Sequence, residues 1–270
     1  MKKTLFLFII LPLCVYSLDE KPWLGDPWEF TLSSDFTYSR YRRVQDAAVQ
    51  LPQASNDRLL SFDLGVAPWE TIDVQMEVEF ANTPRQRWGL RSGAIQARFA
   101  WMDDISGDPI SLTTGVIVRG VSGNSRRDVS SPYHAPLDME LNAAAGKEWS
   151  QEAFFGMRTW GLLGVGTGNQ GMPWTRAIGA FEKNWDNHHR LGVLTEGYFG
   201  FGTKHHANTD HFNGWGKFHH QSIDLGVFYQ YHFDLWGDIS LSYDYRVFAR
   251  VFPENVNFFT LSYKLPFSFF

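Results

Sequence analysis

Thirteen ionisable residues stand on the polar side of segments that alternate polar and apolar residues, and their order along the chain is uneven. Asp35, Asp63, Asp73, Glu77 and Glu79 come first, and Glu196, Asp224 and Asp244 follow much later. Arg98, Arg119, Arg158, Arg190 and Arg246 enter after the early acids. Wrapped into a closed surface, the two sets would face one another across an interior. In a water-filled passage, opposed walls of charge select solutes by their field. In a filled interior the same groups only neutralise each other as buried ion pairs. Sequence order is compatible with either outcome.

Imidazole forms a second constellation. His205, His206, His211, His219 and His220 fall in or beside one stretch, with Asp210 adjacent. Such donors suit Zn, Cu or Ni. Their spacing matches no known ligand pattern, and a solvated polar loop needs no metal. The expectation is therefore no metal and no other cofactor. The chain carries no Gly-rich phosphate loop, and its only cysteine is Cys14.

The elements that must position these groups are strands. Two-residue alternation recurs about a dozen times. From Trp28 onward, Phe30, Leu32, Phe36 and Tyr38 oppose Thr31, Ser33, Asp35 and Thr37. Leu60 to Val66 and Ile72 to Phe80 repeat the pattern, as do Ile223 to Tyr231 and Ile239 to Val247. Weaker segments cover 91–102, 110–119, 137–147, 153–166, 174–183 and 190–202, of which 153–166 and 174–183 are Gly-rich and alternate poorly. The connections alternate in length. Short ones fall at 68–71, 103–109, 148–152, 184–189 and 234–237, and longer ones at 40–58, 81–90, 120–136, 167–173, 203–218 and 250–256.

The last segment, Asn257 to Phe270, places Phe259, Leu261, Tyr263, Leu265, Phe267 and Phe269 on one face, with Thr260, Ser262, Lys264, Pro266 and Ser268 on the other. In a soluble sheet such a strand is an aggregation hazard. This ending resembles the C-terminal assembly signal of bacterial outer-membrane β-barrel proteins. It departs from that pattern in Phe270, one residue out of step, and in Pro266, which cannot donate to a ladder. The resemblance implies insertion by the barrel-assembly machinery. Together with the short-then-long connections it implies an all-β fold, a transmembrane up-and-down antiparallel barrel of about twelve strands with tight periplasmic turns.

Tryptophan placement agrees with a membrane. Trp69, Trp101, Trp149, Trp185 and Trp236 each lie in or beside a different short connection. Indole favours the headgroup boundary, so these five are expected to form an aromatic girdle. At the N-terminus, Lys2 and Lys3, the apolar Leu5 to Val15 and Val15-Tyr16-Ser17 read as a cleaved signal peptide over 1–17. Cys14 lies within it, and bulky Leu13 argues against lipidation. With Cys14 removed, the exported chain forms no disulfide. Residues 18–27 (LDEKPWLGDP) are expected to be a short periplasmic lead-in, too small to plug anything, and 28–270 the barrel.

The formal net charge of -5 offers no basic patch for nucleic acid, and a mean hydropathy of -0.26 leaves no apolar run for a spanning helix. Expected partners are instead outer-membrane lipid and lipopolysaccharide, whose phosphates Arg126 and Arg127 in the 120–136 loop suit. Outer-membrane enzymes are not expected. Asp210-His211 is rim-placed, but Asp103-Asp104 falls in a turn at the opposite end, and Ser222 has the wrong parity to work with His219. The function expected is passive passage of small polar solutes. The alternative is a closed, non-conducting barrel with a structural or surface-binding, adhesin-like role.

Overall fold

In a strand that separates two solvents, hydrocarbon solvates one face and water or a polar interior the other, so the usual burial pattern inverts. The computed structural model, which describes residues 18–151 and 154–268, shows that inversion throughout. Leu163 is 69 % exposed, whereas Gln96 and Glu182 are 0 % exposed. Met76, Ile95, Leu141, Val227 and Leu241 face outward with Leu163, and Thr37, Asp35 and Asp73 are buried. The proposed signal peptide, Cys14, Phe269 and Phe270 lie outside the described residues.

Twelve long strands close into one antiparallel barrel. In chain order the elements begin with β1 (Phe30–Tyr41), the two short loop strands β2 (Arg43–Val44) and β3 (Ala47–Val49), and β4 (Ser55–Trp69). They continue with β5 (Ile72–Thr83), β6 (Gln86–Met102), β7 (Ser111–Val121), a helical turn α1 (Gly123–Arg126) and β8 (Leu137–Gln151). β9 (Phe154–Gly168), β10 (Trp174–Trp185), β11 (His189–Gly200) and a short β12 (Ala207–Asn208) follow. The chain then runs through β13 (Gln221–Phe233), β14 (Gly237–Arg250), a short β15 (Pro253–Glu254) and β16 (Asn257–Phe267). Every barrel strand pairs with its neighbours in sequence, and β16 closes on β1 with Asp35 opposite Ser262. Closure leaves no open edge. Pro266 is paired on one side only, opposite Thr31 of β1, because the ladder of β16 with β14 ends at the Asp238–Lys264 pair.

Two local readings change. The expected 81–90 loop is instead a hairpin turned at 84–85, with Thr83 opposite Gln86. Its polar residues break the apolar alternation, but backbone pairing continues beyond it. Thr83 Oγ1 accepts from the N–H groups of Arg85 and Gln86, both at 3.1 Å. The second concerns β9, whose weak alternation has a steric cause. A Cβ on Gly166 would lie 2.1 Å from the Trp174 ring, and one on Gly164 2.7 Å from Glu140. Glycine stands at these inward positions because neighbouring side chains occupy the space.

The long connections fold over one end of the barrel. β12 pairs with β3 and β15 with β2. Beneath them Tyr41, Val44, Val129, Phe212, Trp215 and Phe252 form an apolar core. Trp215 Nε1 donates to the Ser131 carbonyl at 2.7 Å, stitching the 201–220 loop to the 122–136 loop. At the other end the connections are tight.

The expected lead-in is corrected. Leu18 to Trp23 enters the barrel rather than lying outside it. Leu18 is buried against Ala94 and Ile117. Lys21 and Asp19 carry charges that read as solvated in the sequence, yet each finds an opposite charge on the barrel wall.

Candidate functional site

The lumen is built from the inward positions of all twelve strands, and the 18–23 segment crosses it. Its anchors lie around the ring. Asp19 pairs with Lys264 of β16 at 2.8 Å, and its N–H donates to Gln75 of β5 at 2.7 Å. Glu20 meets Arg176 of β10 at 2.5 Å, and Lys21 meets Glu182 of β10 at 2.8 Å. The Lys21 carbonyl accepts from Arg98 of β6 at 2.6 Å. Trp23 donates to Asp104 at 2.9 Å and lies under the Arg158 guanidinium. Gly146 makes room for this passage, since a Cβ there would lie 2.8 Å from Pro22 and 2.9 Å from Trp23.

A cavity lies on each side of the segment, and Leu18 and Glu20 line both. The one toward the loop end measures about 280 Å³ and is bounded by Tyr41, Asp57, Tyr133, Trp174, Tyr198 and Phe252 among others. The one toward the turn end measures about 510 Å³, with Glu29, Asp63, Gln75, Arg158, Gln230 and Lys264 on its walls.

All thirteen ionisable residues singled out by alternation point inward, and the structure pairs many of them. Arg98 donates to Asp73 through Nε at 2.9 Å and Nη2 at 2.5 Å, a two-point contact of the kind carboxylates favour. Arg119 bonds Glu77 and lies 3.6 Å from Glu79, which also accepts from Tyr133 and from Ser92 at 2.6 Å. Arg246 holds Asp224 at 2.7 Å through each of two nitrogens. Arg158 pairs with Glu148 at 2.6 Å, and Glu196 lies 3.9 Å from Arg176. Arg190 lines the larger cavity. Asp35 accepts from Ser61 at 3.3 Å and Asp244 from Ser242 at 3.1 Å. Asp63 Oδ1 has no hydrogen-bond partner.

Alternation missed several participants. Arg91, Arg176, Glu140, Glu148, Glu182 and Asp57 all line or support the lumen. Glu140, Arg176 and Glu182 share the parity of inward neighbours on β8 and β10, and counting by twos would have found them. Arg91 has no such signal. It is the extra residue of a bulge, where Phe80 pairs with Leu90 and Glu79 with Ser92. Asp57 was hidden in an expected loop.

The other expected groups are dispersed. Trp69, Trp101, Trp149, Trp185 and Trp236 are all exposed at the turn end of the barrel. The histidines do not converge. His205 and His219 rings contact at 5.4 Å, His206 bonds the Asp46 carbonyl at 3.3 Å, and His211 is exposed. Among the described residues no group of three or more His, Cys, Asp or Glu is placed to hold a metal ion. His220 is buried, with Nε2 2.8 Å from His134 Nε2, and His134 stacks on Trp174 at 5.0 Å between centroids. Both lie in loops outside the spanning strands. Burial, then the charge of Arg246, pushes His220 down to about 3, and burial with the neighbouring His220 pushes His134 well below the usual imidazole value. Asp210 and His211 are exposed, each with its N–H donating to Asn208.

No family model matches the chain, and no curated protein matches it. Among solved structures it is similar to the COG4313 outer membrane channel from Pseudomonas putida F1. Identity is 11 % and the TM-score 0.68, over 93 % of this chain and 100 % of that one. The NanC porin aligns with 10 % identity and a TM-score of 0.54, over 84 % and 97 % of the two chains. The translocator domain of autotransporter NalP from Neisseria meningitidis gives 10 %, 0.52, and 90 % of each chain. At such identities the likeness is one of fold. Twelve antiparallel strands, closed on themselves with an apolar outer face, give this chain the fold of a bacterial outer-membrane β-barrel.

Proposed function

We propose that the chain is a bacterial outer-membrane channel that passes small polar solutes passively, through a lumen lined by acids and arginines. The observation that carries this reading is the pair of cavities, about 280 and 510 Å³, separated by one short segment. Charged and hydroxyl side chains line both, and that composition suits hydrated solutes. Among the described residues the 18–23 segment is held through side chains and makes no backbone-to-backbone hydrogen bond with a wall strand, so its displacement joins the two spaces. In this reading the apolar outer face meets outer-membrane lipid and lipopolysaccharide. The exposed tryptophans mark the periplasmic boundary, the last strand addresses the assembly machinery, and the protein performs no catalysis.

The alternative, a non-conducting barrel with a surface-binding role, is favoured by the apolar core that ties the loops together over the lumen. Planar-bilayer recording of the refolded protein separates the two. Discrete conductance steps are expected, with ion selectivity changed in Glu77→Gln and Arg119→Gln. A barrel that stays silent, while still showing the heat-modifiable gel mobility of a folded one, overturns the channel.

A further inference from the structure

The charges of the lumen are not evenly satisfied. Each of Arg91, Arg98, Arg119, Arg158, Arg176 and Arg246 has a carboxylate within 4 Å. Four inward acids on neighbouring strands remain over, Asp35 on β1, Asp57 and Asp63 on β4, and Asp244 on β14, while Asp138 across the lumen on β8, also without an ion pair among the described residues, accepts from the His134 N–H at 3.0 Å. None of the four makes an ion pair among the described residues, and their hydrogen bonds come from serine hydroxyls, as at Ser61, Ser55 and Ser242. Asp63 Oδ1 and Asp57 Oδ2 accept nothing, although the residues are 5 % and 1 % exposed. A buried carboxylate oxygen beside a cavity favours a donor or a cation as its neighbour.

These four acids lie on one wall. In the ring β14, β16, β1 and β4 are consecutive. Register puts Asp35 opposite Ser61 on one side and Ser262 on the other, and Asp63 opposite Ser33. Except at Leu59, the inward positions between the acids carry hydroxyls, among them Ser33, Thr37, Ser61, Ser242, Thr260 and Ser262, so oxygen ligands run from Asp57 near the loop end to Asp63 and Ser240 toward the turn end. Two cations also stand on this wall, and both are committed, Lys264 to Asp19 and Arg246 to Asp224. Arg91, Arg98, Arg119, Arg158 and Arg176, on the other strands, are likewise paired. The surplus is acidic in both spaces, with nine acids against four basic residues around the smaller cavity and nine against five around the larger.

The geometry points to a lumen that selects cations, with the oxygen-lined wall of Asp35, Asp57, Asp63 and Asp244 as their track and small ammonium or guanidinium solutes as the class admitted. This rests on the channel reading above. Excess fixed charge of one sign in a narrow passage concentrates counter-ions. Tyr41 and Tyr198, lining the same smaller cavity, add aromatic surface to which an organic cation is attracted, as the Tyr133 ring already attracts Arg91 and Arg119.

The test is the reversal potential of the refolded full chain across a planar bilayer in a KCl gradient. Potassium should be preferred over chloride by about tenfold. The Asp35→Asn/Asp63→Asn double variant keeps shape and hydrogen-bonding capacity, and should lower that preference several-fold while discrete steps persist. Liposomes bearing the wild-type protein should swell faster in arginine hydrochloride than in sodium glutamate. Chloride preferred over potassium in the wild type, which needs no variant to fold, overturns the cation track and leaves the channel standing. Unchanged selectivity in a conducting double variant overturns the assignment of the wall. An absence of all conductance removes both readings together.

Discussion

The strongest anchor of the segment inside the lumen is the Glu20–Arg176 pair, at 2.5 Å with side chains 9 % and 12 % exposed. Glu20→Gln removes one charge and leaves an amide of the same shape. Arg176 is not orphaned, because Glu140 lies at 2.8 Å and Glu196 at 3.9 Å. The cost is therefore that of one charge-assisted hydrogen bond, about 1.5–3 kcal/mol, rather than that of stranding a buried cation. At about 1.4 kcal/mol per factor of ten, the equilibrium between seated and displaced segment should move by roughly ten- to a hundredfold. In single-channel recording, Glu20→Gln should raise the fraction of time spent in the conducting state by that factor where the wild type is mostly closed. Thermal stability of the barrel should barely change, since no strand pairing is touched. Arg176→Gln is the instructive contrast. It removes the cation that Glu20, Glu140 and Glu196 share and should destabilise the fold. Equal open times for Glu20→Gln and the wild type would refute the reasoning, because they would mean the pair does not hold the segment.

Other outcomes follow from the same coordinates. Asp73→Asn leaves Arg98 buried with the Lys21 carbonyl as its main partner, and should cost about 3 kcal/mol, the low end for a broken buried pair, read as a lower midpoint of heat-modifiable mobility or urea unfolding. Gly166→Val should displace Trp174 and lower the same midpoint by about 1–3 kcal/mol equivalent, whereas Gly93→Ala, whose Cβ would meet only ordinary contact at 3.6 Å, should stay within about 0.5 kcal/mol. The His134–His220 contact is made by neutral rings, and both are held below the usual 6.5 in the folded loops. Stability from this contact is fully present above about pH 6.5 and is lost progressively as pH falls toward about 3, because only opened loops accept the protons freely. Protease cleavage within the 201–220 loop should accelerate across that window and should lose its pH dependence in His134→Gln/His220→Gln.

Much of this molecule is legible without coordinates. Two-residue alternation names the strands, and the chain-wide repetition of apolar residues against polar ones implies a different solvent on each face. The alternation of connection lengths separates the two ends of the barrel, and the inward direction of Asp73 or Arg119 follows from parity alone. Parity, however, says which face a residue occupies and nothing of its height on the wall or its neighbours around the ring. Those depend on register, so the pairing of Arg98 with Asp73 was decided by the alignment of β5 with β6, and the surplus of Asp35 and Asp63 by the alignment of β4 and β16 with β1. Bulges break the count, and Arg91 turned inward for that reason. Leu18 to Trp23 reads as a solvated polar leader because its charges have no local partners. In the folded chain those partners lie on β5, β6, β10 and β16, far away in sequence, and only the tertiary structure brings them to the segment that divides the lumen.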